Sequence, residues 1–283
     1  MLLMPLTFLL ASGSAITTNR HLHATMALNL SAGARQVATS NSISSNCPDI
    51  NDKEDDNTGR KPRILCLHGK FQSGYIFSNK IAGARRKIER EYELHFIDGP
   101  ILLPTNNVEE NVSCDGDNFL ANALDERLAP RSWWLRADDG QHTLVREAFE
   151  FITQQTNVDQ YDALVGFSQG GTLATALALS GIFPNVRAVC TAGAPYIADA
   201  FEVASELYNN NSASSMNNGF NVPKLHLAGE ADALVAVEST LELCQKGGNG
   251  KLILHDQGHL FPTRAARVKE ILDFLGAALS VET

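Results

Sequence analysis

Five consecutive residues in the middle of the chain carry a pattern typical of nucleophilic catalysis. Gly166-Phe167-Ser168-Gln169-Gly170 matches the motif G-x-S-x-G, in which a serine hydroxyl attacks a carbonyl carbon. The motif alone is weak, but here it follows the apolar run 163–165 and precedes a run of good helix formers. A strand, a sharp turn and a helix in this order are what the motif requires. We therefore predict that Ser168 is a nucleophile; the alternative is a serine that only caps a helix.

A base and an acid must assist this serine, because a hydroxyl is a poor nucleophile near neutral pH. Two later segments, each following a predicted strand, supply these residue types in the order acid, then histidine. The first is Gly229-Glu230-Ala231-Asp232 and the second is Asp256-Gln257-Gly258-His259. We predict His259 as the base and Asp232 as the acid. Asp232 is preferred to Glu230 because it lies further into the loop over the sheet edge.

The tetrahedral intermediate of such a reaction carries a negative oxygen, which two N–H groups must stabilise. We predict one donor at Gln169 and the other in the loop after the first strand, with Phe71 preferred and Lys70 second. His255 and His259 are spaced like some metal ligands, but the segment is a strand end followed by a glycine and not a helix, and the glutamate of H-E-x-x-H is absent. The five cysteines contain no CxxC pair. We therefore expect no metal and no cofactor.

A parallel sheet has to position these residues, because short apolar runs alternate with helical stretches from residue 61 onward. Strands are predicted at 63–68, 93–98, 163–167, 186–192, 224–228 and 251–255. Helices are predicted at 76–90, 142–156, 169–179, 198–208, 236–245 and 263–279, and a surface loop at 209–221. Since the carboxyl ends of parallel strands lie at one sheet edge, Ser168, Asp232 and His259 are expected to meet there.

Composition excludes several classes of protein. The 283 residues are 44% apolar and 19% charged, which is typical of a globular protein. Lys and Arg total 23 against 32 Asp and Glu, a net charge of -9, so nucleic acid is not an expected partner. The longest apolar run, 2–11, is shorter than the roughly 20 residues that a membrane-spanning helix needs, so we expect no stable membrane span.

The first 60 residues differ from the rest in composition. Residues 1–48 contain no Asp or Glu and are rich in Ser, Thr, Ala and Asn. Such a composition is typical of an organelle transit peptide, the run 2–11 also suits a signal peptide, and an unstructured leader is a third alternative. We predict a disordered or targeting leader at 1–60 and a folded domain at 61–283. The protein would then be cytoplasmic or organellar.

A long segment, 99–160, separates the second predicted strand from the third and contains Trp133 and Trp134. Loops at this edge of the sheet line the substrate cleft. We predict that the tryptophan pair, or the apolar stretch 101–103, forms a wall of the substrate pocket. The alternative is that the tryptophans only anchor the segment to the core.

Six sequence blocks resemble the FSH family of serine hydrolases, which belongs to the α/β-hydrolase superfamily. They are ILCLHGKFQSGYIFSNK at 64–80, IDGP at 97–100, Trp133-Trp134, GFSQGG at 166–171, GEAD at 229–232 and GH at 258–259. The resemblance spans about residues 62 to 277 and implies an α/β-hydrolase fold with a mostly parallel central sheet, helices on both faces and no large lid domain. It also implies a triad of Ser168, Asp232 and His259. Lys70 departs from the pattern, since other members often carry an aromatic or aliphatic residue there.

Three functions are compatible with these residues. The first is a cofactor-free serine esterase that cleaves a small-molecule carboxylic ester through an acyl-enzyme; the family resemblance implies medium or long acyl chains in some members. The second is a thioesterase or C–C bond hydrolase with the same triad. The third is a ligand-binding receptor, since fold does not fix function. Rapid turnover of a simple ester favours an enzyme, and stoichiometric binding without turnover favours a receptor.

Overall fold

A six-stranded parallel sheet forms the centre of the part of the chain that the structure describes. The structure is a computed structural model, and it describes residues 60–104, 125–211 and 219–280. The strands are β1 (Arg63–Leu67), β2 (Glu93–Ile97), β3 (Ala163–Phe167), β4 (Ala188–Ala192), β5 (Lys224–Gly229) and β6 (Gly250–His255). Their order is β6-β5-β4-β3-β1-β2, and neighbouring strands pair in parallel. Their carboxyl ends therefore lie at one edge.

Helices cover both faces of this sheet. The α-helices are α1 (Gly74–Lys80), α2 (Ala82–Ile88), α3 (Val145–Gln155), α4 (Gln169–Leu179), α5 (Ala198–Asn211), α6 (Val237–Lys246) and α7 (Ala265–Leu279). Ile64 and Cys66 of β1 pack in one core with α1, α2 and α7, whereas Leu65 and Leu67 pack in a second core with α3, α4 and α5. A strand that is buried on both faces must be apolar along its whole length. This explains why the central strands lack an alternating polar pattern.

The predicted α/β class, with a parallel sheet and helices on both faces, is confirmed, and the observed strands lie within two residues of the predicted ones. The predicted helix at 76–90 is two helices. The Ser73 side chain accepts a hydrogen bond from the Ile76 N–H at 3.1 Å, so α1 begins earlier, at Gly74. The backbone of Ile81 leaves the helical region, with φ -99° and ψ 17°. Its buried side chain packs in the core that α1, α2 and α7 form with β1. The chain therefore turns there before α2.

Several predicted features fall wholly or partly outside the described residues. The predicted leader, 1–60, lies outside the described residues except for Arg60, so its assignment stays a prediction. Of the loop predicted at 209–221, residues 209–211 finish α5 and 212–218 are not described. Between β2 and β3, Ile101–Leu102 pairs with Arg131–Ser132 in a short antiparallel ribbon, and 105–124 is not described. In the described part of the chain no helix has the length and apolarity needed to cross a bilayer.

Two fully buried histidines remain neutral in the fold. His68 follows β1, and His226 lies within β5, where its Nδ1 is 2.8 Å from the hydroxyl of Thr191. The pKa of each imidazole is lowered from 6.5 to about 4; burial is the largest cause for both, and the neighbouring ammonium of Lys224 contributes to the shift of His226. Because the charged imidazole has no hydration there, folding requires both rings to lose their protons.

Acid is therefore expected to destabilise the fold between pH 6.5 and pH 4, since the unfolded chain takes up these protons first. The free energy of unfolding should decrease as the pH falls through this window. In His226→Asn the decrease should be shallower, by up to about 1.4 kcal/mol per pH unit. Urea denaturation at intervals from pH 7 to pH 4.5 measures it. An identical slope in the variant would contradict the assignment of a neutral His226.

Candidate active site

Ser168 occupies a sharp turn between β3 and α4. Its backbone has φ 51° and ψ -123°, a conformation that a non-glycine residue adopts at a cost on the order of 1–3 kcal/mol. The Ser168 N–H donates to the carbonyl of Ala192 at 2.9 Å, which ties the turn to the end of β4. A Cβ on Gly170 would lie 2.3 Å from the carbonyl oxygen of Leu67, so only glycine lets α4 begin this close to β1. The turn places the Ser168 hydroxyl above the sheet edge.

The three residues predicted as a triad lie together at this edge. His259 Nε2 is 3.0 Å from Ser168 Oγ, and His259 Nδ1 is 2.7 Å from Asp232 Oδ2. A carboxylate can only accept hydrogen bonds, so Nδ1 donates to Asp232 and Nε2 is left to accept from the Ser168 hydroxyl. The Asp232 side chain is 1% exposed and that of His259 is 15% exposed, so solvent barely reaches the carboxylate.

The loop after β5 is built around the Asp232 carboxylate. Its Oδ1 accepts hydrogen bonds from the backbone N–H groups of Leu234 and Val235, each at 2.9 Å. This leaves Oδ2 for the imidazole. Glu230, the alternative acid in the sequence, is exposed. The structure therefore distinguishes the buried, hydrogen-bonded Asp232 from the exposed Glu230, whereas the sequence distinguished them only by their positions in the loop.

The imidazole of His259 is held by close packing as well as by hydrogen bonds. Gly193, at the end of β4, has φ 56°, and a Cβ on it would lie 3.1 Å from both Cε1 and Nδ1 of His259. On another side, the ring centroid of Phe167 is 4.8 Å from that of the imidazole. A larger residue at Gly193 would require the ring to shift by a few tenths of an ångström, and the positive φ itself favours glycine there.

The second N–H donor predicted for the oxyanion needs a correction. The Phe71 backbone, with φ 63°, directs its N–H to the carbonyl of Arg131 at 2.9 Å, so this donor is already bonded. Among the described residues, no protein acceptor receives the N–H of Lys70 or that of Gln169. Of the two residues that the sequence offered, Lys70 is therefore the one whose N–H is not already bonded to another described residue. Sequence could not decide this, because backbone donors do not depend on residue type.

The side chain of Gln169 has a role that the sequence analysis missed. Its Oε1 accepts from the Ser132 hydroxyl at 2.9 Å and from the Trp133 N–H at 3.0 Å, and its Nε2 donates to the Trp134 carbonyl at 2.9 Å. Gln169 thus clamps a segment 36 residues away in sequence onto the first turn of α4. No motif signals this contact.

The two tryptophans predicted as a pocket wall lie in the core. Trp133 is 0% exposed and Trp134 is 2% exposed, and the Trp133 Nε1–H donates to the carbonyl of His68 at 2.8 Å. Their placement supports the alternative, that they anchor the long segment to the core. The stretch 101–102 pairs with the residues just before them, as described above.

His68 joins the loops that follow β1 and β2. Its Nε2 accepts from the Gly99 N–H at 2.8 Å, its Nδ1 lies 2.8 Å from the carbonyl of Gly69, and its ring stacks on Trp133 at 5.0 Å between centroids. Only a neutral ring can accept at Nε2 and donate at Nδ1, which agrees with its lowered pKa. His68 therefore fixes the loop that carries Lys70.

A small cavity of about 100 Å³ lies beside His259, on the α1 side of the sheet. Its apolar lining residues are Phe77, Ile81, Phe167, Leu260 and Phe261, and its polar lining residues are Gln72, Lys80 and His259. Neither Trp133 nor Trp134 belongs to this lining. Within the described ranges, no group of three His, Cys, Asp or Glu side chains is arranged to hold a metal ion.

Comparisons with known proteins agree with this geometry. A family model described as serine hydrolase (FSH1) matches residues 57–271. The chain is 28% identical over 230 residues to a Schizosaccharomyces pombe protein named dihydrofolate reductase, which covers 78% of this chain and 48% of that protein. It is 27% identical over 234 residues to esterase CG5412 of Drosophila melanogaster, with 76% and 73% covered. The chain spans about half the length of the first curated relatives it matches.

Solved structures share the fold. The acyl-protein thioesterase 2 of Zea mays superimposes with a TM-score of 0.51 at 15% identity, covering 79% of this chain and 96% of that one. At this identity the likeness concerns the fold alone. The α/β-hydrolase fold that the six sequence blocks implied is confirmed.

The Gln169 clamp predicts a loss of stability when its polar atoms are removed. In Gln169→Leu the buried Trp133 N–H loses its partner, at a cost of about 1–3 kcal/mol for an unsatisfied group, and the Trp134 carbonyl keeps only its bond from the Ser132 hydroxyl. Urea denaturation should show a free energy of unfolding lower by on the order of 2 kcal/mol. The control is Gln245→Leu, at an exposed position of α6. Equal stability of the two variants would contradict the clamp.

Proposed function

The chain belongs to the FSH1 family of serine hydrolases, and from this premise we propose that it cleaves a carboxylic ester through Ser168, His259 and Asp232. The single observation that supports this proposal is the continuous hydrogen-bonded path from Asp232 through His259 to Ser168, with 2.7 Å and 3.0 Å between its atoms. A protein that only binds a ligand has no need of a serine hydroxyl, an imidazole and a buried carboxylate joined by hydrogen bonds in this order.

The first half of the proposed reaction forms an acyl-enzyme. As Ser168 Oγ attacks the carbonyl carbon, its proton passes to His259 Nε2, 3.0 Å away. The ring becomes a cation beside the Asp232 carboxylate, which stabilises it and holds the required tautomer. The proton then passes from Nε2 to the leaving alcohol oxygen, the ester C–O bond breaks, and the acyl group remains on Ser168.

The negative oxygen that develops in this step is assigned to two backbone donors, the N–H groups of Lys70 and Gln169. Neither donor is engaged by another described residue. Gln169 is also the first residue of α4, so the positive end of the helix dipole points at the same place. Donors fixed before the reaction stabilise the transition state without having to reorient.

In the second half, water takes the place of the alcohol. His259 removes a proton from the water, the hydroxide attacks the acyl carbon, and Ser168 leaves with the proton from Nε2. The products are a carboxylic acid and the regenerated serine. Each proton transfer uses the same imidazole nitrogen, so a single well-held ring serves both halves.

Replacing the acid tests its assignment. Asp232→Asn should lower kcat for p-nitrophenyl acetate by about 10⁴-fold, because the amide no longer fixes the tautomer or stabilises the charged ring. The control is Glu230→Gln, which changes the exposed acid two residues earlier in the same loop. It should leave kcat unchanged. A loss in Glu230→Gln as large as in Asp232→Asn would contradict the assignment.

Covalent labelling tests the nucleophile. A fluorophosphonate probe should label the wild-type chain and the control Ser280→Ala, whose serine is exposed at the end of α7, and should not label Ser168→Ala. Turnover in Ser168→Ala should fall by several orders of magnitude, on the order of 10⁶ in a comparable triad. Labelling that persists undiminished in Ser168→Ala would end the proposal.

A further inference from the structure

Lys80 lines the cavity beside His259, and the other walls of this cavity are mostly apolar. Lys80 is the last residue of α1; its side chain is exposed and forms no ion pair or hydrogen bond with another described residue. The next cation on this side, Arg85 of α2, pairs with Glu89 at 3.5 Å. The ammonium of Lys80 is thus available to an anion at the cavity.

The position of the cavity indicates which part of the substrate it holds. His259 lines it, whereas Ser168, Lys70 and Gln169 do not. The imidazole delivers its proton to the leaving alcohol oxygen, so the alcohol part of an ester has to lie on the His259 side. The acyl carbon has to lie over Ser168 and the two N–H donors. The cavity therefore suits the alcohol part.

The size of the cavity limits what can enter. Its volume of about 100 Å³ corresponds to roughly three or four carbon-sized groups, since a water in the liquid takes about 30 Å³. The apolar walls formed by Phe77, Ile81 and Phe261 suit methylene groups, and these walls offer no partner for a charge. A charged group at the end of such a methylene chain would have to lie next to Lys80.

From these observations we propose that the preferred substrate is an ester whose alcohol part is an apolar chain of three or four carbons ending in a carboxylate, which pairs with Lys80. This rests on the proposed function and names the substrate class of the same site. One water is consumed, the ester C–O bond breaks, the alcohol takes the proton from His259, and the terminal carboxylate is unchanged. Lys80 is a specificity-determining residue and takes no part in proton transfer.

The test compares two esters that differ only in charge, 4-acetoxybutanoate and 4-acetoxybutanamide, by kcat/KM for acetate release. The wild type should prefer the anionic ester by about three- to fivefold at low salt, the range typical of an exposed ion pair. Lys80→Met should abolish this preference by lowering kcat/KM for the anionic ester about three- to fivefold, and it should remain fully folded. Raising the salt concentration should weaken the wild-type preference, because exposed charges are screened.

A matched variant controls for the change in net charge. Lys251→Met removes an exposed lysine at the start of β6, at the opposite end of the sheet from His259, and should keep the preference for the anionic ester. An enzyme that cleaves p-nitrophenyl acetate but shows no preference for 4-acetoxybutanoate would overturn this inference and leave the proposed function standing. So would an unchanged preference in Lys80→Met. Absence of all ester cleavage, together with no labelling of Ser168, would overturn both.

Discussion

The backbone conformation of Ser168 is the constraint around which the rest of the site is arranged. A serine at φ 51° is strained, and surrounding structure has to hold it there. β3 is buried along its whole length, and α4 is buried from Gly170 to Leu179, so strand and helix have no freedom to relax the turn between them. The approach of Gly170 to Leu67 then couples the turn of Ser168 to β1. A change that separates β1 from β3 would therefore also disturb Ser168.

A second constraint is the burial of the Asp232 charge. A carboxylate that loses its water is costly unless hydrogen bonds replace it. Three N–H groups do so, two from the backbone of its own loop and one from His259. The loop conformation therefore depends on the charge, and the position of the charge depends on the loop. This mutual dependence orients the imidazole without any contact between Asp232 and the substrate.

The sequence predicted which side chains come together at the sheet edge, but not that the Trp133 and Trp134 side chains lie in the core, nor where backbone N–H groups point. That Ser168, Asp232 and His259 lie together could be predicted because each has a distinctive side chain just after an apolar strand, and parallel strands bring such ends together. Phe71 was wrong as a donor because its N–H direction depends on a left-handed φ that its side chain does not signal. The Gln169 clamp was missed because it joins residues that are distant in the chain. The leader and residues 105–124 lie outside the described part.

The clamp also divides the site into a fixed side and an adaptable side. Gln169 supplies one proposed oxyanion donor and, through its side chain, holds the segment of Trp133, whose indole bonds to the carbonyl of His68. His68 in turn fixes the loop that carries Lys70, so a change on this side alters both donors together. The α1 side contributes Lys80 and Ile81 to the cavity without a hydrogen bond to either donor. Under the proposed function, substitutions there change which ester binds while the two proposed oxyanion donors keep their geometry, so the substrate preference of the proposed esterase is to be sought on α1.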